Sequence, residues 1–179
     1  MRWDRLFDDL EAQLAAQTRL ELDAEVAERT RTERSKVGLG ERIIGALGTP
    51  LVVHVRGGTT TRGVLEDAGQ AWMLLVEDTG RQVLVATPAV LGVSGLGRPR
   101  DDNRARRFGI GAALRGVSRD RRAVVVTDVG GGTVHGTIDA VGSDAFEITE
   151  HPLDSPRRPG HIRGERTIPF AALAMVSSS

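Results

Sequence analysis

The chain decides its fold in residues 51–75, which read LVVHVRGGTTTRGVLEDAGQAWMLL, and again in residues 124–148, which read VVVTDVGGGTVHGTIDAVGSDAFEI. The two stretches align without a gap at an offset of 73 positions, so that Val53 matches Val126. In both, aliphatic residues alternate with polar ones and glycines interrupt the runs, a pattern typical of short strands joined by tight turns. A gap-free repeat of this kind predicts two copies of one small β unit.

Each copy also ends alike, in an apolar stretch that contains a proline, at residues 84–94 and 167–177. Because proline cannot donate a hydrogen bond to a central ladder, we expect one helical turn between the last two strands. A short apolar helix is predicted before the strands of each copy, at residues 43–47 and 108–114. Each copy is therefore predicted to be a short helix followed by about five strands.

Two details of the strands refine this prediction. Gly63 and Gly136 fall in the middle of the second strand of each copy, which suits a sharply bent strand or a close approach of two backbones. The third strand of the first copy, residues 72–76, is apolar on both faces, as strands covered on both sides are. We therefore expect another element to cover the outer face of the first copy.

The candidate for that cover is an N-terminal helix. Trp3, Phe7, Leu10 and Leu14 follow the spacing of one helical stripe, and the stripe weakens beyond residue 14. We expect this stripe to dock on Trp72, with the second copy or another protomer as the alternative cover. Self-association through the helix is also open, so Trp3, Phe7, Leu10 and Trp72 form the predicted partner surface.

Composition limits the class of protein. Hydrophobic residues make up 40% and charged residues 27% of the 179 positions, as in soluble globular proteins. The absence of cysteine excludes disulfides, thiolate metal sites and cysteine nucleophiles. No apolar run is long enough to span a bilayer and no signal peptide is visible, so we expect a cytoplasmic protein with no membrane partner. Lys36 is the only lysine, and the richness in Arg, Ala and Gly indicates the coding bias of a GC-rich bacterium such as an actinobacterium.

Positive charge is concentrated between the two copies although the chain has no net charge. Residues 98–123 contain nine arginines and three aspartates. Such a segment could follow a phosphate backbone, whereas most charge runs are solvated linkers. Aromatic residues make up only 3% of the chain, so stacking platforms for bases are scarce. The candidate nucleic-acid contacts are Arg104, Arg106, Arg107, Arg119, Arg121 and Arg122.

Two further motifs contain residues that could carry chemistry. The run from Asp128 to Thr133 resembles the phosphate-binding turn of actin-type ATPases, but that fold needs about twice this length and a second such turn. A glycine hairpin explains both this turn and the aligned turn of the first copy, Arg56-Gly57-Gly58, which has no Asp. His151, Asp154, His161 and Glu165 lie in or beside a proline-rich insertion of the second copy, at a spacing that matches no recurrent metal-ligand pattern. We predict no catalytic, cofactor-binding or metal-binding residue, no cofactor and no obligate small molecule.

The repeated pattern resembles the Sm-like fold, a small five-stranded barrel with a leading helix. In the first copy the resemblance is carried by Val53-x-Val55-x-x-Gly58, Gly63-x-Leu65, Met73-x-Leu75 and residues 83–93, and the second copy repeats it from Val124 to Val176. Together the two copies cover roughly two-thirds of the chain.

The resemblance does not extend to the RNA site of Sm proteins. That site needs an Asp and an Asn around the third strand and an Arg-Gly pair in the fourth. Gly69 and Met73 replace the former in the first copy, and Ala86-Thr87 replaces the latter. The second copy departs in the same way, with Gly142, Phe146 and Pro169-Phe170. No RNA-binding residue is therefore carried over.

The sequence as a whole predicts a mainly β protein with helices. An N-terminal amphipathic helix (1–37) precedes two tandem Sm-like barrels (38–97 and 122–179), which a basic linker with a short helix (98–121) joins. We expect a non-catalytic binding or adaptor protein that engages an unknown protein partner. The alternative is a nucleic-acid-binding regulator that uses the arginine-rich linker, and a nucleotide-binding enzyme is the weakest reading.

Overall fold

The computed structural model describes residues 17, 19–30, 32, 37–97, 106–153 and 162–178. The chain divides into two compact units, Met1–Gly38 and Leu39–Ser179. In the first unit, residues 19–30 are helical and exposed. Trp3, Phe7 and Leu10 lie outside the described residues, so the N-terminal helix over residues 1–37 and its docking stripe stay predictions.

Over its described residues the second unit is mainly β, with two short α-helices and two single 3₁₀ turns. Its first part runs α1 (Leu39–Ile44), β1 (Pro50–Val55), β2 (Thr60–Gln70), β3 (Trp72–Val76), β4 (Gln82–Ala86), a 3₁₀ turn (Thr87–Ala89) and β5 (Val90–Ser94). Its second part runs β6 (Arg106–Gly109), α2 (Ile110–Arg119), β7 (Val124–Asp128), β8 (Thr133–Val141), β9 (Ala145–Glu150), β10 (Gly164–Pro169), a 3₁₀ turn (Phe170–Ala172) and β11 (Leu173–Ser178).

The strands form one open sheet in the order β10-β9-β8-β7-β11-β4-β3-β2-β1-β5, and β6 is added beside β2. All neighbours are antiparallel except the β2–β6 pair. We call β1–β5 the first strand set and β7–β11 the second strand set. Each set has the same internal order, in which its last strand pairs with its first.

Strand register confirms the sequence repeat residue by residue. Leu51 pairs with Gly63 in the first strand set, and Val124 pairs with Gly136 in the second. A register shift interrupts the pairing of the second strand with the third strand at the same place in both sets, after Leu65 and after Ile138. The 3₁₀ turns also occur at matching positions, where the prolines predicted them.

The two strand glycines lie where their neighbours leave no room for a side chain. A Cβ on Gly63 would lie 2.5 Å from the carbonyl oxygen of Val76. A Cβ on Gly136 would overlap the carbonyl oxygen of Thr149. This confirms the predicted close backbone approach in both strand sets.

We predicted two separate Sm-like barrels, whereas the described strands form one continuous open sheet. β4 pairs with β11 through Val85–Met175, Leu84–Val176 and Val83–Ser177, and this ladder joins the two strand sets into one sheet. We call it the internal joint. The physical reason lies in β4, whose residues Val83 to Ala86 are all buried and would form an apolar edge if β11 did not cover it.

The predicted short helices need smaller corrections. The first begins earlier than expected, at Leu39, and ends at Ile44, after which Gly48 with a φ of 78° turns the chain into β1. The second begins at Ile110 rather than at residue 108, because β6 occupies residues 106–109 beside β2. No helix among the described residues has both the length and the apolar character needed to cross a bilayer.

Candidate functional site

Trp72 is covered from within its own unit. Its side chain is 3% exposed and stacks on Phe108 with ring centroids 5.4 Å apart. The indole Nε1 donates a hydrogen bond to the carbonyl oxygen of Phe108 at 3.0 Å. The segment that precedes α2 thus covers Trp72, and Trp72 is not exposed for a partner.

The predicted arginine contacts are in different situations. Arg104 lies outside the described residues. Arg106 donates through Nε to Oδ2 of Asp67 at 2.8 Å and holds β6 beside β2, so much of its charge is used inside the fold. Arg107 is exposed on the same strand.

The other three predicted contacts, Arg119, Arg121 and Arg122, are exposed at the end of α2 and just beyond it. Together with Arg115, which is also exposed on α2, they form what we call the arginine group. Arg115 and Arg119 are four residues apart on α2 and therefore lie on one helix face. Among the described residues, no carboxylate lies within 4.0 Å of a guanidinium nitrogen of this group. Arg121 has a φ of 47°. It lines a polar groove together with Asp139, Glu147 and Glu165, so acidic side chains lie in the same groove as this arginine.

The glycine turn after β7 is closed by its own aspartate. Oδ1 of Asp128 accepts the amide hydrogens of Gly130 at 2.7 Å and Gly132 at 2.9 Å. The amide of Gly131 donates to the carbonyl oxygen of Asp128 at 3.1 Å. The amides that a phosphate would need are therefore engaged within the turn, which is the arrangement of a structural hairpin.

The two glycine turns also touch each other. Gly57 and Gly131 have φ values of 82° and 88°, and a Cβ on Gly131 would lie 2.6 Å from the carbonyl oxygen of Gly57. Only glycine fits such an approach of two backbones. The turns are thus a second contact between the strand sets besides the internal joint.

His151 is a structural residue in its surroundings. It is 3% exposed, its Nε2 lies 2.8 Å from Oγ1 of Thr137, and its Nδ1 lies 2.9 Å from the carbonyl oxygen of Pro152. Both ring nitrogens have hydrogen-bond partners. Asp154 and His161 lie outside the described residues, and the described part of the chain contains no metal-binding cluster of His, Asp and Glu.

The surface that the sequence analysis missed is the pair of sheet edges, β5 and β10, each of which pairs with one other strand among the described residues. We call them the free edges. Leu91 on β5 is 68% exposed, the highest value among the large apolar residues of the Leu39–Ser179 unit. Beside β10 lies a groove of about 190 Å³ whose lining includes Val126, Val134, Ile168 and Ala172. A comparison of β4 with β10 could have revealed the edges, because Val83-Leu84-Val85 aligns with Arg166-Thr167-Ile168.

Comparison of the chain with protein-family models, with curated proteins and with solved structures finds no match. The exposed features of the described residues from which a function can be proposed are the two sheet edges and the arginine group.

Proposed function

We propose that the chain is a non-catalytic binding or adaptor protein, built on two Sm-like units, that holds its partners at the free edges of the sheet. The observation that carries this proposal is the β5 edge, whose outer backbone groups pair with no other described strand and which presents the exposed side chain of Leu91. A free edge can add a strand from a partner, and the ladder of main-chain hydrogen bonds then supplies affinity.

Several features support the Sm-like part of the proposal. Each strand set follows a short helix, has five strands in the same order, and contains a long second strand that bends at a register shift. The 3₁₀ turn before the last strand recurs as well. What distinguishes this chain is that two such units share one sheet through the internal joint.

The best candidates for reactive groups have internal roles, which favours binding over catalysis. Asp128 closes its own turn, and His151 is buried between Thr137 and Pro152. Arg106 is paired with Asp67. The assignment as a non-enzyme and the cytoplasmic location stay predictions.

The test is capture of partner proteins from lysate on immobilised protein, with nuclease present and with rising salt. Leu91→Lys places a charge on the β5 edge, and Val64→Lys makes the same kind of change at another exposed strand residue, away from both edges. We expect Leu91→Lys to abolish capture and Val64→Lys to retain it. Equal capture by wild type and both variants would refute binding at the edge.

A second candidate function is nucleic-acid binding, which the arginine group favours. Four exposed guanidinium groups without a described ion-pair partner can contact successive phosphates. Binding of this kind weakens steeply between about 50 and 200 mM salt. Fluorescence anisotropy with labelled RNA and DNA measures how the logarithm of the affinity falls with the logarithm of the salt concentration. The double variant Arg119→Gln/Arg122→Gln should show a smaller slope than wild type, whereas Arg62→Gln on β2 should not change it. Affinity that is insensitive to salt would exclude this function.

A further inference from the structure

We propose that the chain reversibly binds a free α-amino acid with a branched aliphatic side chain, in a small pit beside the internal joint. The side chain of the ligand fills the pit, Arg122 pairs with its carboxylate, and Asp120 pairs with its ammonium group. No residue of β5 or β10 lines this pit, so the inference goes beyond the proposed function and does not rest on it.

The pit, which we call the joint pit, is built by both strand sets together with α2. Leu84 of β4 and Val176 of β11 are register partners in the internal joint, and both line the pit. The rest of its apolar lining comes from β3, α2 and β7 through Leu74, Val117 and Val124. Neither strand set could form this pit alone, because its walls come from both.

The apolar walls of the joint pit set the size of the group that it accepts. Leu84 is 5% exposed, and Val124 and Val176 are each 3% exposed. The pit has a volume of about 90 Å³. An aliphatic cavity of roughly 150 Å³ accepts benzene, so this smaller pit suits a branched chain of three or four carbons better than an aromatic ring. Its size therefore matches the side chains of valine, leucine and isoleucine.

Two opposite charges accompany these apolar walls. Asp120 and Arg122 also line the joint pit, and both are exposed. Among the described residues no other charged group lines it, and neither of these two forms a salt bridge. Their charged atoms therefore lie more than 4.0 Å apart. A free α-amino acid carries the complementary pair, an ammonium and a carboxylate, on the carbon that bears its side chain.

The uncharged polar groups of the lining are engaged within the fold. The backbone amide of Gln82 donates to Oγ of Ser178 at 3.1 Å, and Nε2 of Gln82 donates to Oε2 of Glu66 at 3.3 Å. Asp120 and Arg122 are therefore the side chains best placed to meet a charged ligand. Both can donate or accept charge-assisted hydrogen bonds, which are stronger than neutral ones.

The turn after α2 places the two charged residues on one side. Between them, Arg121 has a φ of 47°, and its amide donates to the carbonyl oxygen of Ser118 at 3.2 Å. Such a left-handed residue ends many helices and is usually glycine. Because the chain turns at this residue, Asp120 and Arg122 line the joint pit while Arg121 lines the polar groove with Asp139. The end of α2 thus fixes both charges beside the apolar walls.

Other small ligands match this combination less well. A phosphate or a fatty acid would pair with Arg122 but would bring a second negative charge close to Asp120. The C-terminal residue of a peptide has a carboxylate, but its nitrogen is a neutral amide and leaves Asp120 without a cation. The free amino acid is the ligand that satisfies both charges and the apolar walls together.

The first experiment titrates the full isotope-labelled chain with L-leucine and follows its backbone amide signals by NMR. We expect saturable shifts centred on residues 117–124 and on Leu84 and Val176. Alanine lacks three carbons of leucine and should bind about 50-fold more weakly, since each buried carbon is worth about fourfold. Valine lacks one and should bind about fourfold more weakly. Phenylalanine should not enter the pit.

The second experiment tests each charge by changing the ligand and the protein together. N-acetyl-leucine lacks the ammonium and leucinamide lacks the carboxylate, so each should bind wild type about fivefold more weakly than leucine, as expected for exposed ion pairs. Asp120→Asn should lose the preference for leucine over N-acetyl-leucine. Arg122→Gln should lose the preference over leucinamide. Arg119→Gln is the matched control, because it removes a charge near the end of α2 that does not line the pit.

The third experiment tests the apolar walls through Val117. Val117→Phe fills the pit and should abolish the shifts, whereas Val117→Ala enlarges the pit and should admit phenylalanine. Circular dichroism checks that each variant is folded. If Val117→Phe does not fold, the gain of phenylalanine binding by Val117→Ala carries the test.

The outcomes keep this inference apart from the proposed function. Absence of saturable shifts up to the solubility limit of leucine would overturn the inference. N-acetyl-leucine that binds as tightly as leucine would also overturn it, because the site would then be one for the C-terminus of a peptide. Leu91→Lys changes the β5 edge and should bind leucine as wild type does, so partner capture and amino-acid binding can fail separately.

Discussion

Gly63 offers the sharpest test of how the duplicated strands are packed. A Cβ at this position would lie 2.5 Å from the carbonyl oxygen and 2.8 Å from the carbonyl carbon of Val76. Both atoms belong to the backbone of β3, so no side-chain rotation can relieve the overlap. Gly63→Ala must therefore push β2 away from β3 or break part of their ladder.

The expected cost follows from two opposing terms. Inserting a methyl group into a packed region costs about 1–3 kcal/mol, and a backbone obstacle favours the upper part of that range. Replacing glycine also removes freedom from the unfolded chain, which returns about 0.4–1 kcal/mol. We expect Gly63→Ala to lower the free energy of unfolding by about 2 kcal/mol, or the melting temperature by about 4–8 °C for a chain of this size.

The assay is urea and thermal unfolding followed by circular dichroism, with Gly164→Ala as the matched control. Gly164 also lies in a strand, but nothing lies within 4 Å of a Cβ built on it. The control should be neutral or stabilising by less than about 1 kcal/mol. If Gly63→Ala is as stable as wild type, or if both variants lose the same stability, the close approach of β2 and β3 is not what requires glycine.

Three further predictions concern α2, the tryptophan cover and one ion pair. Gly116 lies inside α2 with open space around it, so Gly116→Ala should stabilise the chain by up to about 1 kcal/mol in urea unfolding. Phe108→Ala, made in a chain in which Trp3 is replaced by phenylalanine, should shift the fluorescence emission of Trp72 to the red. It should also lower the free energy of unfolding by about 1 kcal/mol. Unchanged emission would contradict the stacking of Phe108 on Trp72. The hydrogen bond from Arg81 lowers the pKa of Glu77 below its ordinary value, so the carboxylate stabilises the fold at neutral pH. This contribution is lost as the pH falls through that lowered pKa, so Glu77→Gln should be less stable than wild type at pH 7 and equally stable in strong acid, as measured by unfolding across pH.

The sequence allowed prediction of whatever depends on local pattern. The offset of 73 positions implied equal registers in the two strand sets, and the structure shows them in β1–β2 and β7–β8. The strand glycines and the 3₁₀ turns were predicted for the same reason, since each depends on a residue type at one place. Those features follow from the repeat spacing, from the conformations that proline allows in a turn, and from the space that a side chain needs.

What the sequence did not reveal depends on contacts between distant segments. β6 pairs with β2 across more than thirty residues, and Phe108 supplies the cover that we assigned to the N-terminal helix. Nothing in the local pattern of Arg106–Gly109 distinguishes a strand from a linker, because its stability comes from Trp72 and Asp67. The internal joint was missed for a similar reason. Its signal was the unbroken apolar run of β4, which becomes informative only beside the polar run of β10.

The difference between β4 and β10 has a physical consequence for a duplicated protein. Two identical copies would each present the same apolar edge, and chains with such edges would aggregate without a defined size. Here β4 carries the aliphatic residues that β11 buries, whereas β10 carries Arg166 and Thr167 at the matching positions. The free energy of joining the two strand sets is therefore concentrated inside the chain, where the linker makes the contact intramolecular. The outer edges have less apolar area than β4, so contacts formed there should be weaker and should respond to salt and competing strands, as the proposed adaptor role requires.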